Sequence, residues 1–246
     1  MDYQTSRDPE LKDLSPLRRY MDLPKFVDLL RSKAIYLRRA DYFTDKFEGA
    51  LTPAIRNAID SVHASTKLAE SADTVYQRCR MGTFVNCWTY GAKDNMALWQ
   101  LFGGSNKSVA ICTTAERLTR ICLNWHDSKH IALVRYIDHF ENPDMIISNY
   151  YDPLKFKHEA FNFEREVRVL LVKQDNWQEN PIGIQRSIGD LDSLITSVVV
   201  APEAESWFLD LVKDLSLKYG LKAPVRMSQL SSLPSLTYQL FESRRA

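Results

Sequence analysis

At 246 residues, 45% hydrophobic and 26% charged, the chain has an ordinary globular composition, so burial can offset the entropy of ordering without a disulfide or metal staple. Its 32 Lys plus Arg against 31 Asp plus Glu give a formal net charge of +1, which excludes attraction to polyanions or membranes by whole-protein charge. The N-terminus MDYQTSRDPELKDL is charged, and no run approaches the about 20 apolar residues of a membrane span, so a cytoplasmic address with no membrane partner is expected.

Residues 1–16 read as a flexible N-terminal segment and 17–246 as a single α+β domain. LRRYM (17–21) predicts a strand, and Asp22 with Pro24 starts a helix whose apolar stripe is Phe26, Val27, Leu29 and Leu30. AIYLR (34–38) predicts a strand running into the loop RADYFTDKFEG, where Thr44, Asp45 and Gly49 favour irregular backbone. Residues 53–80 are polar and weakly periodic, which predicts one or two surface helices forming a mobile cover. GTFVNCW (82–88) predicts a strand, DNMALWQLF (94–102) a helix stopped by GGSN, and residues 109–112 the next strand. Thr113 and Glu116 then stand at capping-box spacing before Leu118, Ile121 and Cys122. HIALVRYI (130–137) and VRVLLV (167–172) are apolar enough for central strands, and residues 197–200 make another. A last helix follows Pro202 and stops at Gly220. Strands and helices mix without strict βαβ alternation, which predicts a mixed, largely central sheet surrounded by helices.

Standard phosphate loops are excluded: among 8 glycines neither GxGxxG nor GxxxxGK[ST] is found, and HExxH is absent. The five histidines show no metal-ligand spacing, and Cys79, Cys87, Cys112 and Cys122 lack the paired spacing of zinc or redox sites, so they read as reduced core thiols. Two acidic motifs remain. In FEREVR, strand alternation places Glu164, Glu166 and Arg168 on one face, at the end of a run apolar enough to be buried on both sides. The plain alternative is an edge strand whose charges pair with its neighbours. In YFTDKFEG, the acids Asp45 and Glu48 alternate with the aromatics Phe43 and Phe47, a place for a ligand to stack and hydrogen-bond. The plain alternative there is a helix start with Asp45 as cap and Glu48 three residues on.

The succession LRRYMDLPKFVDLLRSKAIYLRRADYFTDKFEG, FVNCWT with MALWQLFG, VAICTTAERL, FEREVRVLL, VVVAP and PVRMSQL resembles the bacterial domain of unknown function 2971, from Leu17 to about Leu230. That family prefers an Asn-Asp-Pro-type loop where this chain has Thr44, Asp45 and Lys46, and its name carries no activity. A remoter resemblance is to ADP-ribosyltransferases, in the order of Arg18 or Arg19 on a first strand, Tyr42 and Phe43 in the next loop, Thr89 after a middle strand, and Glu164-x-Glu166 on the last. The Ser-Thr-Ser strand motif of that family is absent. The resemblance implies an ADP-ribosyltransferase-like fold and NAD as substrate. It implies Glu166 as the carboxylate that stabilises an oxocarbenium-like centre and Glu164 as the residue that positions the acceptor, a protein or a nucleic acid. Arg18, Arg19, Tyr42, Phe43, Asp45, Glu48 and Thr89 are assigned to the NAD side. A toxin or phage-defence effector, with an antitoxin or defence-system partner, fits that activity.

Two other readings use the same residues. A magnesium-dependent nuclease would take Asp45, Glu48, Glu164 and Glu166 as oxygen ligands, with Lys155 or Lys157 on phosphate. A non-catalytic subunit of a defence system would use the charged strand end as an interaction surface.

Overall fold

In the computed structural model, which describes residues 4–66, 69–104, 106–141 and 145–234, a short strand β1 (Thr5–Arg7) precedes β2 (Pro16–Asp22), helix α1 (Leu23–Ser32) and β3 (Ala34–Arg39). The Asp22 carboxylate caps α1 by accepting from the Lys25 N–H at 2.8 Å, as the sequence led one to expect. Helices α2 (Pro53–Thr66) and α3 (Ala72–Met81) lead to β4 (Thr83–Tyr90). The one-turn α4 (Met96–Leu98) runs into a π turn at Trp99–Gly103, and Gly104 stops it in the left-handed region at φ 70°. Then come β5 (Ser108–Thr114), α5 (Ala115–Leu123), β6 (Ser128–Leu133), β7 (Arg135–Ile137), β8 (Phe156–His158) and β9 (Glu166–Val172). The chain closes with β10 (Gly183–Ser187), α6 (Leu191–Leu194), β11 (Ser197–Val200), α7 (Ser206–Lys218) and β12 (Val225–Met227).

Among the described residues ten strands form one sheet in the order β1-β6-β9-β4-β2-β5-β11-β12, with β3 also on β4 and β10 beyond it. Pairing is parallel for β1 with β6 and β11 with β12 and antiparallel elsewhere, so the sheet is mixed, of the α+β kind expected. The VRVLLV run is central as expected, flanked by β4 and β6 and buried on both faces.

Strand alternation sorts β2, β4 and β9 into two faces. One face carries Leu17, Met21, Phe84, Trp88, Val167, Val169 and Leu171, packed with Phe26, Leu30, Leu118, Phe208 and Val212 in the largest apolar cluster. At roughly 1.5–3 kcal/mol for each fully buried large side chain, this cluster supplies most of the hydrophobic stabilisation. The other face carries two smaller clusters, one around Tyr20, Leu98, Trp99 and Ala110, the other around Ala40, Cys79, Val85, Leu154 and Leu170. Between them the same face holds Arg18, Cys87, Thr89, Glu166 and Arg168.

One edge of β4 is forked. At its end it pairs with β2, through Leu17 with Tyr90 and Arg18 with Thr89; at its start it pairs with β3, through Arg38 with Val85 and Arg39 with Phe84. Where the ladder is interrupted, side chains take over its hydrogen bonds. Arg19 Nη1 donates to the Cys87 carbonyl at 3.0 Å, and Asn86 Nδ2 donates to the Tyr36 carbonyl at 2.9 Å.

Several expectations are corrected. Thr5–Arg7, inside the segment expected to be flexible, pairs with β6, and Leu11 is buried in the main core. Residues 130–137 are not one strand. The Asp8 carboxylate takes the Leu133 N–H at 2.9 Å, and beyond the bend at Val134 the chain leaves the sheet to pair as β7 with β8. The α5 cap is Thr114 rather than Thr113, because the Thr113 hydroxyl is turned inward and donates to the Leu194 carbonyl at 2.6 Å. Of the expected cover, only α2 has no buried residue; α3 buries Ala72 and Cys79 and belongs to the core. The apolar stripe of α2, Ile55, Ala58 and Ile59, lines a hollow of about 610 Å³ shared with Met145, Ile147 and Val172. In GGSN, Ser105 lies outside the described residues.

Candidate functional site

Loop 43–49 is built on Asp45, but not as a helix cap. Asp45 Oδ1 accepts from the Phe47 N–H at 2.9 Å and the Asp45 carbonyl accepts from the Glu48 N–H at 3.3 Å, a tight turn that frees the Glu48 side chain to point inward. Gly49 follows at φ 73°, and a Cβ there would meet Arg80 Cγ at 3.2 Å and Cys79 Sγ at 3.3 Å. Both the backbone conformation and the close approach to α3 therefore require glycine.

The second motif is assembled by a break in the strand rather than by alternation. A 3-10 turn spans Glu159–Glu164, Arg165 adopts the left-handed conformation at φ 45°, and β9 begins at Glu166. A left-handed non-glycine residue costs about 1 kcal/mol or more and is held here by its surroundings: its carbonyl accepts from the Tyr90 N–H at 2.7 Å. The Glu166 N–H is taken by the Tyr136 hydroxyl at 2.8 Å.

The two motifs meet on Arg168. Its guanidinium grips Glu48 bidentately, Nη1 and Nη2 each 2.7 Å from a carboxylate oxygen. It also holds Glu166 Oε2 through Nη2 at 2.7 Å and Nε at 3.1 Å, and donates to the Leu154 carbonyl at 2.8 Å. Lys157 Nζ is 2.6 Å from Glu164, 3.5 Å from Glu166 and 3.7 Å from Glu48. All five side chains are at most 9% exposed. Burying charges is unfavourable unless each is paired and hydrogen-bonded, and here three carboxylates face two cations, with Arg19 adding a third positive charge close enough to act on Glu166.

The neighbouring carboxylates titrate in opposite directions. Burial pushes Glu166 up, but the charges of Arg168 and Lys157 outweigh it, with help from the Cys87 thiol and the Arg168 hydrogen bonds, and hold it below its ordinary 4.5. Burial raises Glu164 above the same value, and the Lys157 ammonium does not reverse it. Burial alone would lower Lys157 and Arg168; the surrounding carboxylates, Glu166 first, raise both. A pair of acids driven apart in this way is a common feature of sites that need one ionised and one protonatable carboxyl group.

The sheet register aligns three of the sequence-derived residues. Arg18 on β2 is opposite Thr89 on β4, and Thr89 is opposite Glu166 on β9, so the three form one row across adjacent strands on the same face. Thr89 and Cys87 are half-buried between the two small clusters. Arg18 pairs with the buried Asp94 and with the Ala92 carbonyl, and Asp94 also accepts from the Ser228 hydroxyl at 2.7 Å. Tyr42 is exposed beside the Arg39 guanidinium, 5.1 Å from its ring centre, and Phe43 packs half-buried on the cluster around Leu154. Arg19 lies in the fork, and Asp45 stays in its own turn, away from the ion-pair cluster. Lys155 pairs with Asp152 at 2.8 Å rather than with the cluster.

The parts played by Asp94, Tyr136, Cys87 and the bridging Arg168 were not foreseen. For Arg168 the signal was present: a guanidinium between Val167 and Val169 in a doubly buried strand demands buried acceptors. For Asp94 and Tyr136 no local pattern marks them.

The four cysteines are free thiols, and among the described residues no helix is long and apolar enough to cross a membrane. No family model matches the chain, so the resemblance to domain of unknown function 2971 rests on its motifs alone, and no curated protein matches it in sequence. Solved structures with a similar course of chain include Thermus sp. 2.9 DarT in complex with NAD+, at a TM-score of 0.43 and 8% identity over 91% of this chain and 100% of that one. The same protein in complex with carba-NAD+ gives 0.42 and 8% over 89% and 97%, and in complex with ADP-ribosylated ssDNA 0.42 and 8% over 89% and 96%. A likeness at this level establishes no function.

Proposed function

We propose that the chain is an NAD-using transferase of the ADP-ribosyltransferase kind, with Glu166 as its catalytic carboxylate and Glu164 as the residue that positions the acceptor. The observation that carries this reading is the row Arg18, Thr89, Glu166, ending on a buried carboxylate held ionised beside one whose pKa is raised. In the proposed step the bond between nicotinamide nitrogen and ribose C1′ breaks, its electron pair leaves with nicotinamide, and an acceptor oxygen or nitrogen bonds to C1′. The acceptor proton passes to Glu164. A preorganised anion in a water-poor setting favours the cationic centre of that step over the neutral ground-state sugar. Tyr42, with the Arg38 and Arg39 guanidinium groups against its ring, offers an exposed aromatic face to the dinucleotide, and Phe43 and Asp45 follow it in the same loop. The acceptor is a protein or a nucleic acid, and the biological setting we favour is a toxin or phage-defence effector neutralised by an antitoxin partner.

The magnesium-nuclease reading is weaker, because both oxygens of Glu48 and one each of Glu164 and Glu166 are taken by Arg168 and Lys157, and among the described residues no three His, Cys, Asp or Glu side chains are placed to hold a metal. The near-complete burial of all five charges leaves the charged strand end little surface to offer a partner and favours, as the non-catalytic reading, a structural ion-pair knot. Titration calorimetry separates the three. Heat with NAD in the absence of magnesium, together with nicotinamide release, supports the transferase; heat with magnesium alone supports the nuclease; silence with both supports the non-catalytic reading.

A further inference from the structure

Loop 43–49 rests on a pair of histidines that the charged cluster does not use. The Phe47 ring lies 5.3 Å from His139 and 5.0 Å from His158, and the two imidazoles are stacked at 7° with centroids 6.1 Å apart. Phe140 meets Phe47 edge-on at 6.0 Å. His139 is 3% exposed, and neither of its ring nitrogens has a hydrogen-bond partner. Leaving such a group unpaired costs about 1–3 kcal/mol. Across the same packing, Asp45 spends Oδ1 on the Phe47 N–H while Oδ2 is buried without a partner.

We propose that His139 is a proton-operated latch on loop 43–49. Neutral, the imidazole is a flat filler that seats Phe47 and so fixes Glu48, the next residue, on Arg168. Taking one proton from solvent at its bare ring nitrogen turns it into a buried cation that needs a counter-ion. Three titratable groups act on it: Asp45 from the loop, Asp138 beside it in sequence, and His158 from β8. Both aspartates accept a backbone N–H at Oδ1, Asp138 from Phe140 at 2.8 Å and Asp45 from Phe47 at 2.9 Å, but Asp45 Oδ2 is buried without a partner, and Asp45 acts on His139 more strongly than Asp138 does. Pairing through Oδ2 draws the Asp45 carboxylate toward His139, strains the Oδ1 bond to the Phe47 N–H, and so unseats Phe47 and loosens Glu48. Burial, then His158, lower the His139 pKa below its ordinary 6.5, while Asp45 and Asp138 oppose them. The sign follows from linkage: the closed loop is favoured above 6.5 and loses that advantage as pH falls through the lower folded-state value.

The test titrates the full chain with protons and needs no turnover, so it stands or falls apart from the transferase reading. NMR follows the His139 ring, and amide exchange corrected for intrinsic rate follows residues 43–49. The expected result is a His139 midpoint below 6.5 with a loss of loop protection at the same midpoint, about tenfold for one pH unit of linked shift. His139→Phe should keep the loop protected across that range. Loop protection unchanged through the His139 midpoint, or lost in His139→Phe at the same pH as in the parent, overturns the proposal. Should His139→Phe not fold, Asp45→Asn serves: it removes the counter-ion, so the His139 midpoint must move to lower pH, and an unchanged or raised midpoint sinks the latch.

Discussion

Glu48 and Arg168, 120 residues apart in sequence, meet in a two-pronged ion pair with both N···O distances at 2.7 Å, fully inside the protein. Among the described residues Arg168 is the only side chain hydrogen-bonded to both acidic motifs, so its removal leaves Glu48 and Glu166 without their main counter-charge. Arg168→Met is expected to cost about 3–5 kcal/mol, the usual penalty for breaking a buried pair by removing one partner. Adding Glu48→Gln to it should recover part of the loss, because the stranded carboxylate is then gone. Urea unfolding of the two single variants and the double variant measures this; strict additivity would show that the pair is not coupled.

Glu166→Gln separates function from folding. Arg168 keeps its bidentate hold on Glu48, so the loss of stability should be moderate, about 1–3 kcal/mol. Nicotinamide release from NAD should fall on the order of a hundredfold or more, as expected when a preorganised charge is taken from a cationic transition state. Glu164→Gln should weaken transfer to an acceptor while sparing NAD hydrolysis. A Glu166→Gln protein that folds and keeps full activity refutes the assignment.

The two glutamates should leave opposite marks on stability against pH. Glu166, with its folded-state pKa below 4.5, contributes stability that is present above 4.5 and lost as pH falls through the lower value. Glu164, raised above 4.5, contributes stability that is present below 4.5 and lost as pH rises through the higher value. The melting-temperature advantage of the parent over Glu166→Gln should therefore shrink toward acid, and its advantage over Glu164→Gln should shrink away from acid. Thermal melts from about pH 3.5 to about pH 7 decide it; slopes of the same sign contradict the assignment.

Helix α2 should exchange its amides far faster than β9. It buries no residue and lines an open hollow, whereas β9 has paired neighbours on both sides. Equal protection in residues 53–66 and 166–172 would show that α2 is held as firmly as the central strand.

What the sequence revealed follows from the range of the interactions involved. The cap at Asp22, the turn chemistry of Asp45 and Gly49 and the apolar run of β9 are local, and local patterns report them. Strands β10 and β12 escaped notice because GIQRS is largely polar and VRM only three residues long, and each becomes a strand only through its partner, β3 or β11. The site shows the same division. Glu48, Glu164 and Glu166 were legible as acids in unusual settings, whereas the joining of Glu48 to Arg168 and the pairing of Arg18 with Asp94 span 120 and 76 residues, which no spacing rule encodes.

The forked edge of β4 splits its ladder between β2 and β3, while Ile35 and Leu37 of β3 stay buried in the main core. The ribbon of β3 and β10 is joined to β4 by two residue pairs, through Arg38 and Arg39 at the end of β3, and loop 43–49 follows from that joined end. The row Arg18, Thr89, Glu166 belongs to the continuous sheet. Loop 43–49 is thus braced twice against the continuous sheet, by the β3–β4 pairs before it and by the Glu48–Arg168 ion pair near its end, so Glu48 and the row shift as one body, and Arg19 fills the gap in the fork.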